Sequence, residues 1–163
     1  MKTLALLVML AAPAQRPCLT GAEAESLATV ALPDIIRQTG ATCAGQLPAA
    51  SLLRRPSSAM LTRYDAEAER AWPAARAALV KLSAPEAEAL LGSQFARPLL
   101  STLVTPLIVG RIAVRDCGTI DRLVTLLEPL PPRNTAGVIV TALQYARTAK
   151  GNPAAGLPLC DKR

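Results

Sequence analysis

No stretch of this chain alternates apolar and polar residues as a half-buried strand does, whereas apolar residues recur again and again at helical spacing. Leu27, Val30, Ala31 and Ile35 fall three and four residues apart, as do Ile120, Leu123, Val124 and Leu127. Met60, Tyr64, Ala68, Ala71, Trp72, Ala75 and Leu79 form a longer stripe of the same kind. Hydrophobic residues make up 51% of the chain but aromatic ones only 2%, so a core has to be built from Ala, Leu, Val and Ile. Alanine favours helix, and small side chains let helices approach closely. The expected fold is therefore all-α: a compact bundle of five to six helices, several of them proline-kinked, stapled by two disulfides.

Helix signals mark most of the elements. Thr20-Gly21-Ala22-Glu23 has capping-box spacing and predicts a helix from 21 to about 39, bent at Pro33 and ended by Gly40. Residues 44–56 read as a loop. Ser57 or Ser58 caps a second helix reaching about Leu82, with Pro73 inside it. Ser83-Ala84-Pro85-Glu86 repeats the capping-box spacing and predicts a short helix closed by Gly92. Pro98 to Val114 is the most apolar segment after the leader, carries Pro106, and predicts a central core helix. Pro129, Pro131 and Pro132 are expected to stop the helix carrying Ile120 to Leu127. Asn134 is expected to cap the last helix, with Ile139, Ala142, Leu143 and Ala146 facing inward and Gly151 ending it.

The first residues point to export. Lys2 precedes the apolar run Leu4 to Ala12, and Ala12-Pro13-Ala14 supplies the small residues a signal peptidase reads. The run falls short of the roughly 20 apolar residues a bilayer span requires. Residues 1–14 are expected to be a cleavable signal peptide and 15–163 a single helical domain, periplasmic or secreted, with no transmembrane helix in the mature chain. Arg16 and Pro17 before Cys18 are a poor fit to a lipidation site.

An even number of cysteines in an exported chain reads as disulfides. If the first helix is continuous, its predicted extent separates Cys18 from Cys43 by about 28 Å. A disulfide wants Cα atoms roughly 4.4 to 6.8 Å apart. That disfavours Cys18–Cys43 and with it Cys117–Cys160. Cys18–Cys160 with Cys43–Cys117 is the preferred pairing, because the ends of small domains often lie close together. Cys18–Cys117 with Cys43–Cys160 stays open.

The chemistry-bearing residues are few. The chain has no His, which removes the usual general base and every Ser-His or Cys-His nucleophile. The cysteines are too far apart for a zinc site. There is no phosphate loop and no G-x-S-x-G elbow. Asp65, Glu67, Glu69, Glu86 and Glu88 are candidate acid–base carboxylates, but residues two apart on a helix point in different directions. No catalytic, cofactor or metal residue is assigned. The net charge of +6 permits acidic partners. Its densest spot is only Arg54-Arg55, and the aromatic rings that stack on bases or sugars are scarce. Nucleic acid is not an expected partner. Arg111, Arg115, Asp116, Asp121 and Arg122 gather in sequence beside Cys117, as an anion or partner site or as a salt-bridged corner. The leading expectation is a non-enzymatic module binding a protein or another component of the cell envelope. The alternative is a carrier of an apolar ligand between kinked helices, and a carboxylate-dependent hydrolase ranks third.

Overall fold

The computed structural model describes residues 17–150 and 158–160. The expected signal peptide and the predicted stop at Gly151 lie outside them. Six α-helices follow one another among these residues: α1 (Gly21–Cys43), α2 (Ala59–Leu82), α3 (Glu88–Leu91), α4 (Ala96–Val109), α5 (Cys117–Leu127) and α6 (Pro132–Lys150). Short 3-10 turns stand at Leu52–Arg54, Pro85–Ala87 and Val114–Asp116. The fold is compact and all-α, and the one extended feature described is an isolated bridge between Leu19 and Leu159.

The capping box at the start of α1 is formed. The Thr20 amide donates to Glu23 Oε2 at 2.7 Å, and the Glu23 amide donates to Thr20 Oγ1 at 3.3 Å. Lys81, at the end of α2, donates to both oxygens of the same carboxylate, at 3.0 and 2.8 Å. A local cap thus doubles as a clasp between two helices. Ser58 caps α2 as expected, accepting from the Leu61 amide.

α1 is the centre of the bundle. It packs on α2, α4 and α6 and buries residues on several sides, among them Val30, Leu32, Pro33, Ile36 and Cys43. The predicted stop at Gly40 does not occur, because α1 runs on to Cys43. Gly40 is there because the backbone of the Leu52–Arg54 turn presses on it: a Cβ at Gly40 would stand 2.0 Å from the Leu53 carbonyl oxygen. From α2, Met60, Tyr64, Ala68, Ala71 and Ala75 are buried against α1 and its neighbours, and Trp72 is half-buried.

Further expectations are corrected. α4 is not a central core helix: it lies on α1 with Ala96, Thr105 and Val109 buried, while Phe95, Leu99 and Ile108 are exposed. Its polar residues Arg97, Ser101 and Thr105 stand four apart on one face, and that face meets the neighbours: Arg97 pairs with Glu69, Ser101 donates to Asp34 and Thr105 is buried. Ser83 forms no capping box. Its hydroxyl donates back to the Leu79 carbonyl at 2.7 Å, and the chain enters a 3-10 turn before α3. α5 ends at Leu127, before Pro129, as expected. Pro132 is the first residue of α6, where a missing amide costs nothing, and Asn134 lies inside the helix rather than capping it. The buried face of α6 is Thr135, Ala136 and Val140, with Ile139 half-buried, and Ala142 is exposed.

Both disulfides are present. Cys18–Cys160 has its Cα atoms 5.0 Å apart, and Cys43–Cys117 has them 5.6 Å apart. The first joins the two ends of the described chain. Beside it the Leu19 amide donates to Pro158 O at 2.7 Å, the Cys160 amide donates to Leu19 O at 2.8 Å, and Arg147 donates to the Leu159 carbonyl. The second, fully buried, ties the end of α1 to the start of α5.

Candidate functional site

The candidate carboxylates are dispersed into structural pairs. Asp65 accepts from Arg37 of α1 at 2.5 Å, and Arg37 also reaches Asp34 at 3.4 Å. The Asp65 carboxylate holds the Arg37 guanidinium in its charged form, raising its pKa against the opposing effect of burial. Asp34 in turn accepts from Ser101 of α4. Glu67 is shared by Arg70 at 2.6 Å and Arg133 of α6 at 3.1 Å. Glu69 pairs with Arg97 of α4. Glu86 and Glu88 are exposed near the start of the short α3. The α2 acids therefore point at three different neighbours, and each carries a structural duty.

The charged group beside Cys117 also comes apart. Asp121 accepts from Ser51 Oγ, a buried loop residue, at 2.5 Å, and Arg115 stands 3.8 Å from Asp116. Arg111 and Arg122 are exposed. Arg54 donates to the Leu47 carbonyl at 3.0 Å, which separates it in role from Arg55. Among the described residues no three His, Cys, Asp or Glu side chains gather as a metal site, and no helix is long and apolar enough to cross a membrane.

What the fold does build is a pair of adjoining hollows on the two sides of Met60. The inner one, about 170 Å³, is almost wholly apolar. α1 gives it Leu32, Ile35 and Ile36, α5 gives it Ile120, Val124 and Leu127, and Ile139 of α6 and Ile112 complete the wall. Its polar neighbours are already satisfied: Tyr64 Oη donates to Thr135 Oγ1 at 2.9 Å. The outer hollow is a groove of about 530 Å³ bounded by Ser51, Arg55, Ser58, Asp121, Thr125 and Glu128, with Pro48, Ala50 and Leu52. Met60, itself 2% exposed, lines both.

One helix makes both surfaces. On α5 and its C-cap, residues 120, 124 and 127 face the apolar pocket, while residues 121, 125 and 128, each one position further on, face the groove. The sequence signals found the α5 apolar face. They missed the pocket, whose wall is assembled from residues scattered between 32 and 139. Leu123, counted with that face, is exposed instead, as is Leu126. No family model, curated protein or solved structure matches this chain.

Proposed function

We propose that this is an exported, non-enzymatic binding protein whose ligand is small and apolar and sits in the pocket between α1, α5 and α6. The observation that carries the reading is the pocket itself. Apolar side chains facing an unfilled space lose the packing contacts that stabilise a core, so an occupant with matching apolar surface gains what the wall lacks. Ligand sites of this kind are concave and mostly apolar. A volume of about 170 Å³ limits the occupant to a small ring or a short chain; an apolar cavity of about 150 Å³ takes up benzene. Export is supported by the apolar leader after Lys2 and by the disulfides, which persist in oxidising compartments. The non-enzymatic part is supported by the ionic pairing of Asp65, Glu67 and Glu69. Native mass spectrometry of the mature protein should find a co-purifying apolar molecule, and benzene should raise its melting temperature. A ligand-free protein indifferent to benzene removes the reading.

A second reading, docking to a macromolecule of the cell envelope, is favoured by α4. Phe95, Leu99, Thr102 and Pro106 recur at helical spacing and are all exposed, with Phe95 61% accessible. A stripe of this kind on a surface helix is a common mark of an interaction face. Capture of one envelope component by the mature protein, lost in a Phe95→Ser, Leu99→Ser variant of unchanged melting temperature, would favour it over the first.

A further inference from the structure

We infer that the ligand is an anionic single-chain amphiphile of about six carbons, its chain in the apolar pocket and its head on Arg55 in the groove. The inference rests on the apolar-ligand reading and adds to it the head group and the direction of entry. Three observations carry it.

The first is continuity. Met60 lines both hollows, and Leu52 lines the groove while its neighbour Leu53 lines the pocket. A methionine side chain is unbranched, with three rotatable bonds, and is the apolar side chain best able to swing out of a passage without disturbing its neighbours. An occupant that enters past Met60 has its far end among isoleucines and leucines and its near end among polar groups.

The second is the polarity of those near-end groups. Asp121 already accepts from Ser51, and Glu128 stands 3.6 Å from Arg63, which also donates to the Glu128 carbonyl. Arg55 lines the groove and is exposed, and its guanidinium has no partner among the described residues. Of the three charged groups that line the groove, the one without a partner is therefore the cation, while Asp121, held by a neutral hydroxyl, keeps its negative charge. A planar guanidinium offers two parallel donors to a carboxylate or phosphate, a match an ammonium head or a neutral hydroxyl lacks.

The third is size. The pocket is close to the volume that accommodates a six-carbon ring, and Tyr64 and Thr135, bonded to each other, form part of its wall. Chains longer than the pocket leave their extra methylenes in the groove, where they gain little.

The test is calorimetric titration of the mature protein with benzene, hexanol, hexylamine, hexanoate and decanoate. Hexanoate is expected to bind about threefold more tightly than hexanol, as one charge pair to an exposed guanidinium supplies. Hexylamine should bind more weakly than hexanol, and decanoate should gain less than its added methylenes supply in a longer pocket. Arg55→Gln, an exposed substitution, should bring hexanoate down to the level of hexanol and leave hexanol and benzene unchanged. Val124→Phe, which fills the pocket from α5, should abolish binding of all five, with circular dichroism reporting that the helices persist. Equal affinity for hexanol and hexanoate, or an Arg55→Gln variant that still prefers hexanoate, overturns the head-group assignment while benzene binding leaves the apolar-ligand reading standing. Failure of benzene and of every chain to bind overturns both.

Discussion

Gly40 of α1 lies so close to the Leu52–Arg54 turn that an added Cβ would stand 2.0 Å from the Leu53 carbonyl oxygen and 2.9 Å from its carbon. The obstacle is backbone, which has no rotamer to give way. In an ordinary exposed helix interior, Gly→Ala stabilises by about 1 kcal/mol. Gly40→Ala should do the opposite and destabilise by about 3 kcal/mol or more, as overpacking against a fixed neighbour does. Denaturant midpoints decide it by sign alone: a variant more stable than the parent means the turn is not seated on α1.

The same contact explains what the sequence did and did not make legible. The Thr20–Glu23 capping box, the seven-residue stripe on α2 and the start of α1 are local or periodic facts, and each survives into the structure because local geometry determines it. Helix length even constrained the disulfides, since a continuous α1 holds Cys18 and Cys43 apart. Gly40 looked like a terminator because a glycine near the end of an apolar pattern usually is one; its real reason is a turn 13 residues away in the chain. α4 misled for a related reason. Its burial depends on which neighbour it meets, and its polar residues Arg97 and Ser101 turn toward Glu69 of α2 and Asp34 of α1, partners that apolar content alone does not reveal. The candidate site was the least legible part, because Leu32, Met60, Val124 and Ile139 carry no common signal until the fold brings them together.

The two disulfides sit in different surroundings. Cys43 and Cys117 are fully buried, whereas Cys18 and Cys160 are half-buried where the two ends of the described chain are joined. Thiol exchange needs access to the sulfur. Mild reductant with an alkylating label should therefore mark Cys18 and Cys160 first and leave Cys43 and Cys117 paired until the protein unfolds. Each loop is long, so the chain-entropy model sets the loss on Cys18→Ser, Cys160→Ser at up to about 5 kcal/mol and on the inner pair at about 4 kcal/mol or more. Peptide mapping under non-reducing conditions reads the order of labelling, and simultaneous labelling of all four would contradict the burial difference.

Tyr64 is 1% exposed, and its hydroxyl meets the buried Thr135 Oγ1 in the wall of the pocket. Removing a donor and removing its acceptor are not equivalent there. Tyr64→Phe takes away the larger polar group outright and should cost about 1 kcal/mol. Thr135→Val leaves a phenol hydroxyl buried without its acceptor and should cost more, in the range of about 1 to 3 kcal/mol. The double variant should be more stable than the sum of the two losses implies, because nothing is left unpaired. Additive losses in a double-mutant cycle would show that the hydroxyl finds another partner.

Acid sensitivity should trace in part to Glu23. Its carboxylate takes hydrogen bonds from Lys81 and from the Thr20 amide, and these hold its pKa below the ordinary value of 4.5. The sign follows from linkage. The folded state favours the ionised form, so the stabilisation is fully present above the ordinary glutamate range and is lost as pH falls through the lower, folded-state value. Melting curves collected from about pH 7 down to about pH 3 should show the parent losing stability on that limb faster than Glu23→Gln, which has no charge to lose. Lys81→Met should lie between them, because the largest contribution is gone while the Thr20 amide still binds the carboxylate. Near neutral pH the order reverses, with the parent the most stable of the three. Thr20→Ala tests the other half of the clasp: it removes the hydroxyl cap, at about 1 kcal/mol, but keeps the backbone amide and Lys81 on Glu23. The hydroxyl also donates to the Glu23 carboxylate at 3.0 Å, a smaller contribution than that of Lys81. The acid limb should therefore be displaced downward and slightly shallower than the parent's; a limb as flat as that of Glu23→Gln would place the pH dependence on the hydroxyl rather than on Lys81.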